Sequence, residues 1–214
     1  MRIWSVADVA DALEEGIRRE ETRLRIDQAV YGLDALDERH LHLIIAQGLR
    51  EAGYGVHREV RYPADRRKWR ESEGERCDFV ITHDGRPLRE SERARTLFDS
   101  PDCAELDEAF WLEVKAAWQH TIEGPNPRYT AQMLTVARGD VGKLSKDRDI
   151  LHAGLAMIAF VESEDIARHD VRVWYERYIE RGLPVGYPSL RMTSILNRLG
   201  NSVCAMAICP VSHL

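Results

Sequence analysis

Four short runs constrain this chain more than anything else in it: CDFVI (77–81), AFWLEVKAAWQ (109–119), GLAMIAFVES (154–163) and SVCAMAICPV (202–211). Apolar stretches of this length, rich in β-branched and aromatic residues and bounded by turn formers, are expected to be strands buried on both faces. A sheet buried on both faces needs helices over both. The intervening sequence supplies them. Val6, Val9, Ala10, Leu13 and Ile17 recur at helical spacing within 5–30, with Ser5 placed to cap the start. Leu41, Ile44, Ile45, Gly48 and Leu49 mark a helix over 37–52, stopped by Gly53 and Gly55.

Further along, Val56, Arg58, Val60 and Tyr62 alternate with His57, Glu59 and Arg61, which predicts a half-buried strand closed by Pro63. CDFVI runs into a turn at Asp84-Gly85. Residues 86–109 are charged and aperiodic, an excursion between strands with a helical turn near 89–98. GPNP at 124–127 breaks the chain. Tyr129, Met133, Val136, Val141 and Leu144 predict one helix over 129–147, weakened by about 1 kcal/mol at Gly139. Val171, Trp174 and Tyr178 predict a helix over 170–183. The order α-α-β-β-β-α-β-α-β implies an α/β fold: a mixed central β-sheet flanked by helices. With 214 residues, one domain over 1–214 is expected.

Composition narrows the function classes. The chain is 44% hydrophobic and 31% charged, which excludes a largely disordered chain. Its formal charge is −6, so any nucleic-acid contact must come from a local patch. One such patch exists: residues 58–70 carry Arg58, Arg61, Arg66, Arg67, Lys68 and Arg70 against Glu59 and Asp65. It is the best anion footprint in the sequence, or else a solvated loop. Trp69 inside it could stack on a base or pack inward. The N-terminus has no apolar core of a secretory signal, and no run of 18 apolar residues spans a membrane. Cys77, Cys103, Cys204 and Cys209 make no CxxC pair, which fits reduced thiols and a cytoplasmic location.

The chemistry concentrates in the two middle strands. Asp78 lies in the first; Glu113 and Lys115, two apart and so on one face, lie in the second. Charged groups between apolar neighbours are costly unless paired or bound to something. Should the two strands pair, Asp78, Glu113 and Lys115 converge. Two carboxylates then form a hard-oxygen site suited to Mg2+ or Mn2+, and the lysine can orient a water or stabilise phosphoryl charge. A structural ion pair at a sheet edge is the competing explanation.

These residues resemble the motif of the PD-(D/E)xK nuclease superfamily, which has the restriction-endonuclease-like fold. The resemblance covers about 37–162: a helix, Asp78 in its strand, Glu113-Val114-Lys115 on the next strand, then helix and strand. The helix over 5–30 and the segments over 170–211 are additions to that core. Cys77 stands where the family often has proline, and the 34-residue gap between Asp78 and Glu113 is long. The resemblance implies a Mg2+-dependent endonuclease acting on DNA. Asp78 and Glu113 would be metal ligands, with the Val114 carbonyl beside them, and Lys115 the catalytic lysine. Many members add an acid from the first core helix; Glu38 is the candidate, and Glu59 on the neighbouring strand its rival. A polar residue after the lysine is represented by Gln132 or Gln119. The alternative is a catalytically inactive nuclease-fold binding or regulatory module, favoured by the acidic balance and the lack of a DNA-reading motif. A homodimer or protein partner could complete the basic surface. His40 and His42 sit two apart in a helix and cannot ligate one ion together. Lys143, Lys146 and Arg148 suit phosphate contacts or a solvated helix end.

Overall fold

The computed structural model describes residues 3–64, 74–89, 102–135 and 137–213. Two N-terminal helices form as the capping signals require. In α1 (Val6–Ile26) the Ser5 side chain accepts from the Asp8 amide, and in α2 (Glu38–Glu51) Asp37 accepts from the His40 amide. Their apolar faces, with Val9, Leu13 and Ile17 on one and Leu41, Ile45 and Leu49 on the other, are fully buried. The helices meet at Gly16 and Gly48. A Cβ on Gly48 would stand 2.6 Å from the Ala12 carbonyl oxygen and 2.9 Å from Gly16 Cα, so only glycine permits this approach.

The strands follow as β1 (Gly55–Arg61), β2 (Arg76–Thr82) and β3 (Phe110–Trp118), then a two-residue ribbon of β4 (His120–Thr121) and β5 (Gly124–Pro125). After α3 (Tyr129–Leu134) and α4 (Arg138–Lys146) come β6 (His152–Val161), α5 (Glu164–Glu180), β7 (Ser189–Ser194) and β8 (Val203–Val211). Six strands form one mixed sheet in the order β1-β2-β3-β6-β8-β7; β3 and β6 are parallel and the other neighbours antiparallel. The expected α/β class, with a mixed sheet between helices, is therefore present.

Strand alternation divides the core into two layers. Val80, Trp111, Leu155 and Met157 pack on one side with Val141, Leu144, Val171 and Trp174 from α4 and α5. Phe79, Ile81, Leu112 and Val114 pack on the other with Leu13, Ile17, Leu41 and Ile45 from α1 and α2. No helix among the described residues is long and apolar enough to cross a membrane.

Three expectations need correction. The single helix over 129–147 is two: Thr135 turns extended (ψ 114°), and the chain re-enters a helix at Arg138. Gly139 and Gly142, the weak helix formers of this stretch, lie inside the second helix and not at the break. The last helix begins at Glu164 rather than 170, because Ser163 caps it through the Ile166 amide. Strand β7 was not foreseen, since SLRMTS is half-buried and polar and lacks an apolar run. The turn at Asp84-Gly85 is present, with both residues at positive φ (57° and 67°). Residues 90–101, half of the charged excursion, lie outside the described residues.

Candidate functional site

Asp78 occupies a gap in two ladders. Between β1 and β2, Arg58 pairs with Phe79 and Val60 with Cys77, but Glu59 and Asp78 between them do not pair. Glu59 has φ 53°, a left-handed conformation that costs a non-glycine residue about 1–3 kcal/mol. Between β2 and β3 the pairing covers Phe79–Leu112, Val80–Trp111 and Ile81–Phe110 and stops there. One more step of the same register sets Asp78 opposite Glu113, on one face of the sheet. Instead of a main-chain partner, the Val114 amide donates to Asp78 Oδ2 at 2.8 Å. The strands part at this point, and the two carboxylates occupy the fork.

Glu113 is 3% exposed. The Tyr62 hydroxyl donates to its Oε1 at 2.5 Å, and the Tyr62 ring stacks on Trp111. Lys115 Nζ lies 3.8 Å from Glu113 Oε2 and 2.9 Å from Asp140 Oδ2, brought in by the start of α4. Lys143 Nζ continues the chain of charges, 3.2 Å from Asp140 Oδ1 and 2.8 Å from Glu75 Oε2.

The electrostatics follow from this geometry. Burial, then the adjacent Asp78 carboxylate and more weakly Asp140, push the Glu113 carboxyl up to about 8. Tyr62 opposes this only in part. Burial disfavours the charge on Asp140, but Lys115 and Lys143 outweigh it and hold that carboxyl below its ordinary value. Burial likewise disfavours the Lys115 ammonium, and Asp140 more than compensates. Lys115 is thus already engaged by Asp140, while Asp78 and Glu113 face each other short of positive charge. That is the donor chemistry a hard divalent cation satisfies, so the residues present fit such an ion.

On its other side Asp78 meets α2 and β1. Potential ligand atoms of His42, Glu59 and Asp78 all lie within 4.8 Å of one another. Glu38 Oε1 is 3.9 Å from His42 Nε2. Glu38, Arg39, His42, Arg58, Glu59 and Asp78 line a cavity of about 480 Å3. Both rivals for the additional acid therefore reach this cavity, and Glu59 is the one grouped with Asp78.

The other expected residues divide. Gln132 Oε1 accepts from Asn126 Nδ2 at 3.1 Å and so pins the turn before α3; Gln119 Oε1 accepts from the Glu162 amide. His40 is bonded to Asp37. Arg66, Arg67, Lys68, Trp69 and Arg70 lie outside the described residues. Sequence reasoning missed Tyr62, Asp140 and His42. Tyr62 closed an alternating strand pattern and so passed for packing; Asp140 and His42 reach the site only through tertiary contacts. Comparison with family models, with curated proteins and with solved structures finds no match.

Proposed function

We propose that this protein is a Mg2+-dependent nuclease of the PD-(D/E)xK type that hydrolyses phosphodiester bonds in DNA. The observation that carries the reading is the fork at which Asp78 and Glu113 face each other, with Lys115 beside Glu113. Asp78 and Glu113, with the Val114 carbonyl, would hold Mg2+ or Mn2+, which supplies charge neutralisation at a phosphoryl oxygen and an acidified water.

The chain's own groups prepare that site. Tyr62 fixes one oxygen of Glu113 and leaves the other toward Lys115. The Val114 amide fixes Asp78. Asp140 keeps Lys115 charged and in place, so that its ammonium can orient a nucleophilic water or meet the charge developing on phosphorus oxygens. The segment bearing Arg66, Arg67, Lys68 and Arg70 leaves at Ala64, whose amide is held by Asp147, and rejoins at Gly74. Tyr62 and Glu75, just outside those points, are both bonded within the charged cluster. By composition alone, the run holding Arg66, Arg67, Lys68 and Arg70 suits contact with a DNA backbone, whose phosphates dominate affinity.

The test is cleavage of DNA with Mg2+ and with chelator, using wild type, Glu113→Ala and Lys115→Ala. Cleavage that needs Mg2+ and falls about a hundredfold or more in each variant is expected. Equal cleavage by all three proteins, or cleavage indifferent to chelator, removes the reading.

A further inference from the structure

We propose that Asp34 carries a proton beside the Glu21 carboxylate, and that this proton latches the turn between β7 and β8, residues 195–202, onto α1. As pH rises and the proton leaves, the turn is released. Glu21 belongs to the buried side of α1, and Asp34 to a single helical turn at Leu33–Ala35. Each is only 3% exposed, a depth at which acids are found almost only when paired.

The two acids hold the turn at both of its ends. Glu21 Oε1 accepts from the Leu196 amide at 2.9 Å. Asp34 Oδ2 accepts from Asn201 Nδ2 at 3.0 Å. Asn201 is itself fully buried; it also donates to the His120 carbonyl and accepts from the His120 amide. The second oxygen of each acid is orphaned. Glu21 Oε2 and Asp34 Oδ1 are buried with no hydrogen-bond partner among the described residues. Buried polar atoms are almost always satisfied, and an ionised oxygen left alone is costly. A proton on Asp34 turns one of these two acceptors into a donor.

The neighbouring charges do not replace that proton. Arg25 Nε bonds Glu21 at 2.6 Å, but to the oxygen that Leu196 already engages. Arg198, in the turn, directs its N–H groups to the Tyr31 and Leu24 carbonyls. Cys204 on β8 borders both acids; burial, then Glu21 and Asp34, push its thiol up, so it stays neutral. His120 on β4 is engaged by Glu162, Nε2 to Oε1 at 2.7 Å. Burial is the largest influence on Asp34. With the Glu21 charge it outweighs Asn201, the Asp34 amide and Arg198, and holds the carboxyl above its ordinary 3.8. In the released turn Asp34 meets water and titrates near that ordinary value. The closed turn therefore binds more protons just above it, and closure weakens with rising pH until Asp34 is ionised in both states. The latch uses no residue of the Asp78–Glu113 fork.

The experiment uses the full chain in chelator, with side-chain carboxyl 13C shifts and backbone amide exchange read by nuclear magnetic resonance between about pH 4 and about 8. Asp34 should titrate above the ordinary aspartate value, and the Glu21 carboxyl signal should move with it. Exchange protection at the Leu196 and Ser202 amides, corrected for intrinsic rates, should fall by up to about tenfold per pH unit across that titration and then level. The same fall in Glu113→Gln separates it from the titration of Glu113. Asp34→Asn keeps an acceptor for Asn201 and supplies a permanent donor, so its protection should stay flat. Titration of Asp34 at or below its ordinary value overturns the proposal. So does wild-type protection that ignores this titration, a fall that vanishes in Glu113→Gln, or an undiminished fall in Asp34→Asn. The wild-type titration decides even if a variant fails to fold.

Discussion

Replacing Glu113 with Gln should stabilise the metal-free protein, by an amount that grows with pH. Burial and the Asp78 carboxylate push Glu113 from an ordinary 4.5 up to about 8. The unfolded chain releases this proton near the ordinary value, and the folded chain holds it until about 8. Across that window the folded state binds more protons than the unfolded one, so wild-type stability falls as pH rises. Each pH unit removes about 1.36 kcal/mol, which amounts to about 3 kcal/mol by pH ~7. Above about 8 the loss stays at its ceiling. Gln is close in shape and keeps an oxygen to accept from the Tyr62 hydroxyl, so packing is nearly conserved. Urea unfolding in chelator, run across this range, should show the variant-minus-wild-type difference widening with pH and then levelling. Adding Mg2+ should restore the wild type and leave the variant unmoved, since a ligand stabilises only the state that binds it. A difference independent of pH, or a wild type more stable than Glu113→Gln at the alkaline end, refutes the reasoning.

Tyr62→Phe removes the hydroxyl that donates to Glu113 Oε1 and should cost about 1.5–3 kcal/mol above the Glu113 titration, by the same unfolding assay; no change there means the bond contributes nothing. Asp140→Asn leaves Lys115 without its nearest carboxylate, so kcat for DNA cleavage should fall by up to about a hundredfold with KM little changed. An effect on KM alone would make Asp140 a binding residue instead. Gly48→Ala forces a methyl against the backbone of α1 and should cost about 1–3 kcal/mol, with cleavage per folded molecule intact; unfolding at wild-type denaturant concentration contradicts that packing.

Much of the fold is legible because burial on two faces leaves a continuous apolar run. β2, β3, β6 and β8 announce themselves this way, and α1 and α2 follow from periodicity and, for α1, from the cap at Ser5. What hides is what local sequence does not encode. SLRMTS becomes β7 only because β8 offers it a partner, from Ser189–Ile208 to Ser194–Val203. The break between α3 and α4 places Asp140 beside Lys115, a contact between segments 25 residues apart. At the site, Asp78, Glu113 and Lys115 were readable because charge inside an apolar strand is anomalous. Tyr62 was not, since a tyrosine at a strand end is ordinary. His42 was not, since two histidines two apart suggest only each other; its neighbours prove to be Glu59 and Asp78.

The most direct measurement is anomalous scattering from crystals of the protein grown with Mn2+. Density within coordination distance of both Asp78 and Glu113 is the expected result. Ordered carboxylates with no scatterer touching Glu113, whatever binds elsewhere, would contradict a hydrolytic centre at the fork between β2 and β3.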